Sequence, residues 1–457
     1  MNALLPEAKK AAAHRLGHWG FALTPRALIL LFAGLVWVFL AFFSKTFLFA
    51  LVVWDGLVLL LAVADGAQLP RADRISVTRA WLTVPAIGNE VEIELQVTHA
   101  SETVLAMRVV DDLSPGLSPL AVMHSLTAYP REGSCVRYSI VPAERGEHRA
   151  GRVYLRYRSA IGLAERWAAA ELEQTIRVYP RLRAGDEHDL FLARSRQVEM
   201  QRRKEQLRGQ GREFESLREY REGGDDLREV CWTATARCGT LICRQYQVER
   251  SQPVWLVLDS GRMLQMRSGD YCGLDYTTSA ALGVAKLALL SGDRVGLMGY
   301  GQAVQQRVML GRGKTHFRHL MDATALLRAE TGEAGHLAAA ALLARMQPTR
   351  SLIVWFTDFA ETAMRPEVID GAFQLMRRHL LLFVVPAPEE MMELVAERPQ
   401  NVTVMYERTA AQEMLLHREL LLARLRNRGA LTIKMPFAQI SGAALNRYLE
   451  IKEASLL

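Results

Sequence analysis

Cysteine is scarce in this sequence, and the cysteines present form no recognisable metal or disulfide motif. Five of the 457 residues are cysteines, an odd number without a Cys-x-x-Cys pair, which argues against a disulfide framework and against zinc. Cys238 and Cys243 flank an apolar stretch and have no histidine at a suitable ligand spacing. We therefore expect reduced, mostly buried thiols in a cytoplasmic domain.

Complete catalytic motifs are missing as well. The sequence contains neither His-Glu-x-x-His nor Gly-x-Ser-x-Gly, so the common metalloprotease and serine-hydrolase signatures are lacking. Gly313–Thr315 resembles the end of a phosphate-binding loop, but Val308 stands where the first glycine of that loop would be. We predict that the protein is not an enzyme and does not hydrolyse ATP.

The sequence also lacks a long basic tract. The formal net charge is +7 and the basic residues are spread along the chain, so we expect no nucleic acid as a partner. With 50% hydrophobic and 23% charged residues, the composition is typical of folded domains. The length predicts an anchor followed by two soluble domains.

Two long apolar runs stand near the N-terminus. Residues 27–43 carry no charge and, as a helix, would reach about 26 Å, close to the roughly 30 Å hydrocarbon core of a bilayer. The second run, residues 47–64, follows after only three residues, which forces an antiparallel hairpin. A signal peptide is the alternative, but the bulky residues after the first run offer no small-residue cleavage site. We predict a two-helix membrane anchor over residues 27–66.

The charges around this anchor predict its orientation. Basic residues precede the first run and follow the second, against a lone Lys45 in the turn, so both outer ends, including residues 1–26, are expected in the cytoplasm. The location would be the bacterial inner membrane. Asp55 lies inside the second run, where a carboxylate needs a partner: we weigh an assembly contact against a protonated side chain bonded to a backbone carbonyl.

Residues 74–180 are predicted to form an antiparallel β-sandwich. Val91–Val97 alternates strictly between apolar and polar side chains, as a half-buried strand does, and turn pairs such as Gly88-Asn89 recur at short intervals. No catalytic group of residues stands out, so scaffolding or recognition is the expected role. A charged connector and a distinctive segment, residues 181–250, follow.

Residues 251–457 change to apolar strands that alternate with helices, which predicts an α/β fold with a doubly wound, mainly parallel sheet. Expected strands end at Asp259, Tyr300, Phe359 and Pro386, and expected helices cover residues 279–290, 336–346 and 366–378. Ligands in such folds bind at the carboxyl ends of the strands.

Two of these strand ends carry Asp259 and Thr357-Asp358, oxygen ligands that would suit Mg²⁺, the only cofactor we consider. The segment resembles a von Willebrand factor A-type domain, whose metal site begins with Asp-x-Ser-x-Ser. This chain departs from that motif because Ser260 is one place off and Arg262 occupies the loop. Two alternatives to a metal site are that Arg262 neutralises Asp259 and that Asp259 caps the loop after its strand. Thr315 is a candidate for a third hydroxyl that would bind the metal ion.

The stretch 211–259 resembles the bacterial domain-of-unknown-function family fifty-eight, membrane-anchored von Willebrand factor A-like proteins associated with MoxR-type AAA+ ATPases. The closing residues Tyr448–Lys452 also fit. The residues that carry the resemblance are Glu213, Phe214, Arg218, Glu219, Tyr220, Gly224, Asp225, Asp226, Arg228, Trp232, Ala236, Arg237, Glu249 and Asp259.

The charged residues of this stretch surround Trp232, and they have two interpretations. Buried, they would form a salt-bridge network that joins the connector to the sheet, which we favour; exposed, they would be a partner-binding surface rich in Arg and Trp. The residues concerned are Arg218, Glu219, Tyr220, Asp225, Asp226, Arg228, Trp232 and Arg237.

The resemblance implies a non-enzymatic adaptor or scaffold that works with a MoxR-type AAA+ ATPase to assemble or remodel cell-envelope complexes. Membrane lipid and other envelope proteins would be further partners. The alternative is a receptor that binds its ligand through a divalent metal ion and acts without an ATPase.

Overall fold

The computed structural model divides into two compact units, Met1–Tyr179 and Pro180–Leu457, next to the predicted boundary at residue 180. The residues whose structure is described are 14–15, 17–40, 42–159, 161–181, 195, 213–220, 230–247, 251–359, 366–387, 389–396, 398–399 and 401–454.

The first unit contains the predicted apolar helices. They are α1 (Pro25–Ala33), α2 (Leu35–Leu40) and α3 (Thr46–Gln68). By length and composition, the stretch from Thr46 to Arg74 is the one candidate membrane span in the described chain, and its surface is largely exposed. The first predicted span is shorter than expected, because the helix is interrupted at Gly34 and ends at Leu40.

The two apolar segments contact each other at the interruption. Trp54 Nε1 donates to the backbone oxygen of Leu30 over 2.9 Å, and a Cβ added at Gly34 would lie 2.7 Å from Asp55 Oδ1. Asp55 therefore faces the neighbouring apolar segment, and its Oδ1 is buried without a hydrogen-bond partner in the structure.

Ten strands of the first unit form two antiparallel sheets. The strands are β1 (His14–Arg15), β2 (Gly17–Leu23), β3 (Ile75–Trp81), β4 (Val91–His99), β5 (Leu105–Leu113), β6 (Met123–Ala128), β7 (Ser134–Ile140), β8 (Gly146–Arg158), β9 (Ala164–Ala170) and β10 (Gln174–Val178). One sheet has the order β1-β3-β4-β7, and the other has the order β2-β9-β8-β5-β6 with β10 paired to β8. Alternate residues of both sheets share one apolar core, as the period of two in β4 predicts.

Strands β1 and β2 add to the sheets of the sandwich, which was predicted to begin at residue 74. β1 pairs with β3 and β2 pairs with β9, so the described residues 14–15 and 17–23 extend one sheet each. The pattern of this segment is too short and too rich in glycine and histidine to predict a strand. Gly20 lies beside the Trp167 ring, where a Cβ would be 3.5 Å from the nearest ring carbon.

Inside the sandwich, a guanidinium is buried with its partners. Arg79 donates from Nε to Asp111 over 2.9 Å and also bonds the backbone oxygens of Leu172 and Gly151, while Tyr138 donates to the same carboxylate. Because each buried charge has its acceptor or donor, the group bridges several strands without leaving an isolated charge in the core.

A carboxylate joins the candidate membrane helix to the sandwich. Asp65, in the last turn of α3 and 2% exposed, accepts hydrogen bonds from the hydroxyl of Ser159 and from the backbone N–H groups of Leu163 (2.9 Å) and Ala164 (3.0 Å). Thr24, just before α1, donates its hydroxyl to the oxygen of Gly162 over 2.6 Å. The turn between β8 and β9 therefore bonds to the ends of both apolar segments.

The second unit is built on a six-stranded sheet with helices between its strands. Its elements are β11 (Glu213–Glu219), α4 (Trp232–Cys238), β12 (Ile242–Gln247), β13 (Pro253–Asp259), β14 (Arg267–Ser268), β15 (Tyr271–Cys272), α5 (Gly273–Leu290), β16 (Arg294–Tyr300), β17 (Val304–Gly311), α6 (Gly313–Leu326), α7 (His336–Met346), β18 (Leu352–Phe356), α8 (Pro366–Met376), β19 (Leu380–Ala387), α9 (Glu389–Ala396), α10 (Val402–Asn427), β20 (Leu431–Pro436) and α11 (Ile440–Glu453). The sheet order is β17-β16-β13-β18-β19-β20, all parallel except the edge strand β17.

This order is that of a doubly wound sheet with one antiparallel edge. Two apolar cores, one containing Leu256 and the other containing Trp255, lie on opposite faces of β13, which explains why this strand is a continuous apolar run. At the amino edge, Asp293 accepts hydrogen bonds from Tyr448 and, over 2.6 Å, from Lys452. The closing helix α11 is thereby attached to the start of β16.

Only part of the cysteine expectation holds. Cys231 and Cys243 are buried, but Cys135 and Cys238 are exposed and Cys272 is intermediate.

The Asp65 junction generates a first prediction. Changing Asp65 to Ala leaves three buried donors without their acceptor, and we expect the free energy of unfolding to fall by about 3 kcal/mol. The measurement is denaturant unfolding of the full chain in detergent. Asp73, an exposed carboxylate close by in the sequence, is the matched control; equal losses for Asp65→Ala and Asp73→Ala would contradict the junction's role.

Candidate functional site

The site lies where strands β13 and β18 end side by side. Leu258 and Phe356 are partners in the parallel register, so the residues that follow them, Asp259 and Thr357-Asp358, meet at the carboxyl edge. Thr357 donates its hydroxyl to Asp259 Oδ2 over 2.7 Å, and the backbone N–H of Gly261 donates to Oδ1 over 2.7 Å. The structure thus brings together Asp259 and Thr357 as the sequence predicts.

Ser260 does not point its hydroxyl at this carboxylate. Its Oγ donates to the backbone oxygen of Tyr300 over 2.9 Å and accepts from Gln305 Nε2 over 3.0 Å. Gln305 also donates to Glu330 over 2.7 Å, so a chain of hydrogen bonds runs from Ser260 through Gln305 to Glu330. Ser260 therefore anchors the loop after β13 to β16 and β17.

Asp358 is paired with a cation that the sequence did not reveal. Arg418, from the middle of α10, places Nη1 3.3 Å from Asp358 Oδ2 and 3.1 Å from the backbone oxygen of Pro386. Both side chains are nearly completely buried. Arg262, one alternative considered from the sequence as a partner of Asp259, is exposed, whereas the cation that contacts Asp358 is Arg418. No local motif could have identified Arg418, because it lies 60 residues from Asp358.

Whether these residues fit Mg²⁺ depends on how many of their oxygens are available as ligands. A hard cation needs several oxygens free to face it, yet both oxygens of Asp259 accept protein hydrogen bonds and Asp358 is paired with Arg418. Within the described chain, no group of three or more His, Cys, Asp or Glu side chains could hold a metal ion. The arrangement does not fit the ion.

Thr315 does not join the site. It lies in the first turn of α6, directly after β17, and the end of β17 at Gly311 pairs with Val295 at the start of β16. Asp259, by contrast, pairs with Tyr300 at the end of β16. Because β17 runs antiparallel, it carries Thr315 to the opposite edge of the sheet from Asp259.

A chain of aromatic and imidazole groups lies beneath the site. Trp355 Nε1 donates to the hydroxyl oxygen of Tyr300 over 2.7 Å, and that hydroxyl lies 2.7 Å from His336 Nδ1. Burial, and secondarily the charge of Asp259, raise the pKa of Tyr300 well above its usual value. The phenol therefore stays protonated and is able to donate a hydrogen bond to the imidazole.

Burial lowers the pKa of His336 from 6.5 to about 4, although Glu333 and Asp358 act weakly in the opposite direction. The imidazole is thus neutral at neutral pH, consistent with accepting a hydrogen bond at Nδ1. His336 therefore adds no positive charge to the interior next to the site.

The distinctive segment forms a small hairpin with a helix. β11 pairs with β12, and the chain enters α4 just after Cys231, whose N–H donates to Ile242. Trp232 is 67% exposed, which contradicts the buried network that we favoured and leaves it available as a surface group.

The other predicted residues of this segment divide into three groups. Arg237 and Glu219 are also exposed, and Tyr220 is half-buried with its N–H bonded to the oxygen of Leu241 over 2.8 Å. Asp225, Asp226, Arg228 and the side chain of Arg218 lie outside the described residues. Two exposed leucines, Leu217 and Leu241, belong to the same hairpin. We call Trp232, Arg237, Leu217 and Leu241 the hairpin surface.

The neutral state of His336 generates a second prediction. In the unfolded chain this histidine binds a proton near pH 6.5, whereas in the folded chain it does so only near pH 4. Stability is therefore complete above pH 6.5 and is lost as the pH falls toward 4, by about 2 kcal/mol at pH 5 relative to pH 7.5.

Urea unfolding of the full chain in detergent at several pH values measures this loss. His336→Gln should remove it, while His319→Gln, at an exposed position, should retain it. An unchanged pH dependence in the His336 variant would show that another group is responsible.

Comparison with known proteins finds a family match for the segment that contains the hairpin surface and most of the six-stranded sheet. Residues 216–404 match the family described as "Protein of unknown function DUF58". Uncharacterized protein Rv1480 of Mycobacterium tuberculosis is 30% identical over 153 residues, which cover 33% of this chain and 48% of that protein. Uncharacterized protein YeaD of Bacillus subtilis is 22% identical over 284 residues, which cover 59% of this chain and 62% of that protein.

The chain thus spans about half of the mycobacterial relative and less than two thirds of YeaD. Among solved structures, the conserved hypothetical protein BatB from Bacteroides thetaiotaomicron matches 45% of this chain and 99% of its own, with 11% identity and a TM-score of 0.29. A likeness at that score carries no argument about this chain. The sequence match does: over residues 216–404, this protein matches the DUF58 family.

Proposed function

We propose that this protein is a membrane-anchored, non-enzymatic adaptor that works with a MoxR-type AAA+ ATPase to assemble or remodel cell-envelope protein complexes. The observation that carries the proposal is the hairpin surface, where Trp232 and Arg237 are both exposed on α4 within the family segment. Trp and Arg are the residue types that most often dominate binding energy in protein interfaces.

The membrane part of the proposal rests on α3 and on the segment α1–α2 that contacts it. The apolar surface of α3 is largely exposed, as expected for a helix in lipid and not for the core helix of a soluble domain. With basic residues at both outer ends, the two segments would form a hairpin in the bacterial inner membrane, and the soluble units would lie on the cytoplasmic side.

We further propose that residues 251–457 are a von Willebrand factor A-like domain with an altered metal site. A doubly wound sheet with Asp259 at the end of its first strand supports this assignment. Arg418 would occupy the role that a divalent ion has in the intact motif, because its positive charge compensates Asp358. A domain of this kind would bind a partner and would not catalyse a reaction.

Co-purification tests the docking surface. The full chain, solubilised in detergent and co-expressed with the MoxR-type ATPase of the same organism, should retain that ATPase, and Trp232→Ala should reduce the retained amount at least tenfold, which corresponds to about 1.4 kcal/mol of binding. Tyr406→Ala is the matched control, because Tyr406 is 68% exposed on α10 and Trp232 is 67% exposed. Equal retention by wild type and the Trp232 variant would refute docking at the hairpin surface.

Alkaline carbonate tests the anchor separately. Because α3 would cross the bilayer and expose apolar side chains to lipid, the full chain should stay in the membrane pellet at high pH. Replacing two lipid-exposed residues by charge, Leu60→Arg with Val63→Arg, should release it, while Thr46→Arg at the helix start should not. Release of the wild-type chain would end the membrane proposal.

A further inference from the structure

Arg418 has more hydrogen-bonding capacity than its neighbours use. Its side chain is 1% exposed, and Nη1 alone contacts Asp358 and the oxygen of Pro386. Nε and Nη2 are buried and have no hydrogen-bond partner among the described residues. A buried donor without an acceptor is destabilising, and here two such donors belong to one charged group.

The two free nitrogens share a geometry that fits a particular acceptor. In a planar guanidinium, the Nε–H and one Nη2–H point in the same direction and form a fork. That fork matches the two oxygens of a carboxylate or a phosphate, which it binds through two parallel hydrogen bonds. A single water molecule satisfies such a fork less well, because it offers one oxygen.

The position of the fork is one where ligands bind in this kind of fold. Arg418 contacts Asp358, after β18, and Pro386, in β19, so its guanidinium lies at the carboxyl ends of two adjacent parallel strands. Doubly wound sheets bind ligands at this edge. The unsatisfied donors and the location are independent observations that point to the same site.

We propose that the Nε–Nη2 fork of Arg418 binds a carboxylate directly, without a metal ion, and that the natural ligand is an acidic side chain or chain terminus of a protein partner. This site is separate from the hairpin surface and does not depend on docking of an ATPase. Because the fork is buried, the ligand group must be small or must be the end of an extended side chain.

The surrounding charges favour a carboxylate over a phosphate. Asp358 already compensates one positive charge at Arg418, so a ligand with a single negative charge adds less repulsion than a phosphate with nearly two. The adjacent His336 is neutral and Arg262 is exposed, so neither adds a buried positive charge that would favour the more highly charged ion.

Thermal unfolding of the full chain in detergent tests the proposal, with sodium acetate as the carboxylate probe. Sodium phosphate and sodium chloride are compared at the same ionic strength and pH 7.5, with a chelator in every sample to exclude metal. We expect acetate, at about ten times its dissociation constant, to raise the unfolding midpoint by about 2 °C over chloride.

Two substitutions on α10 separate the fork from general charge effects. Arg418→Lys keeps a cation beside Asp358 but has no fork, so the acetate effect should disappear. Arg424→Lys, at an exposed position of the same helix, should retain it. If Arg418→Lys responds to acetate as the wild type does, the proposal is wrong.

A third variant keeps the test informative if Arg418→Lys does not fold. Asp358→Asn leaves the fork intact and removes the competing negative charge, so the response to acetate should grow. If the wild type and Asp358→Asn both fold in chloride and neither responds to acetate, the proposal is overturned. A larger response to phosphate than to acetate would overturn the assignment of a carboxylate.

Discussion

Asp65 accepts three hydrogen bonds from the turn between β8 and β9 at the point where an apolar helix ends. A buried carboxylate at the end of an apolar helix needs such donors, and the turn supplies them from the hydroxyl of Ser159 and two backbone amides. Thr24 bonds the same turn from the start of the other apolar segment. Because of this junction, the first unit is one body in which the sandwich and the apolar helices support each other.

The same requirement, that a buried charge has a partner, governs the interior of both units. Arg79 and Asp111 satisfy it, since every guanidinium nitrogen of Arg79 has an acceptor and Tyr138 donates to the carboxylate. Asp358 and Arg418 satisfy it only in part, because two guanidinium nitrogens stay unused. A fully satisfied pair stabilises a core, whereas a partly satisfied pair at a strand end retains the capacity to bind.

The family segment has a different character from these interiors. In the described part of the segment, Trp232 and Arg237 are at the surface, on a hairpin that leads into the first strand of the parallel sheet. The hairpin surface and the carboxyl edge thus offer two distinct binding chemistries, one aromatic and apolar, the other a buried cation.

The described strands show where the local pattern of apolar and polar residues is sufficient to predict the structure. The alternation of Val91–Val97 predicts β4, and the continuous apolar run that ends at Asp259 predicts β13, because side-chain periodicity depends only on neighbouring residues and on which faces are buried. The position of Asp259 beside Thr357 also follows, since parallel strands of one sheet end at the same edge.

Long-range packing decided the rest. The sequence by itself determined the two apolar segments, strands such as β4 and β13, and the convergence of two aspartates at one edge. Only the tertiary structure showed that Arg418 contacts Asp358, that Thr315 lies at the opposite edge from Asp259, and that Trp232 is exposed. These facts depend on which distant segments meet, and the pattern of neighbouring residues contains no information about the partner of a buried charge.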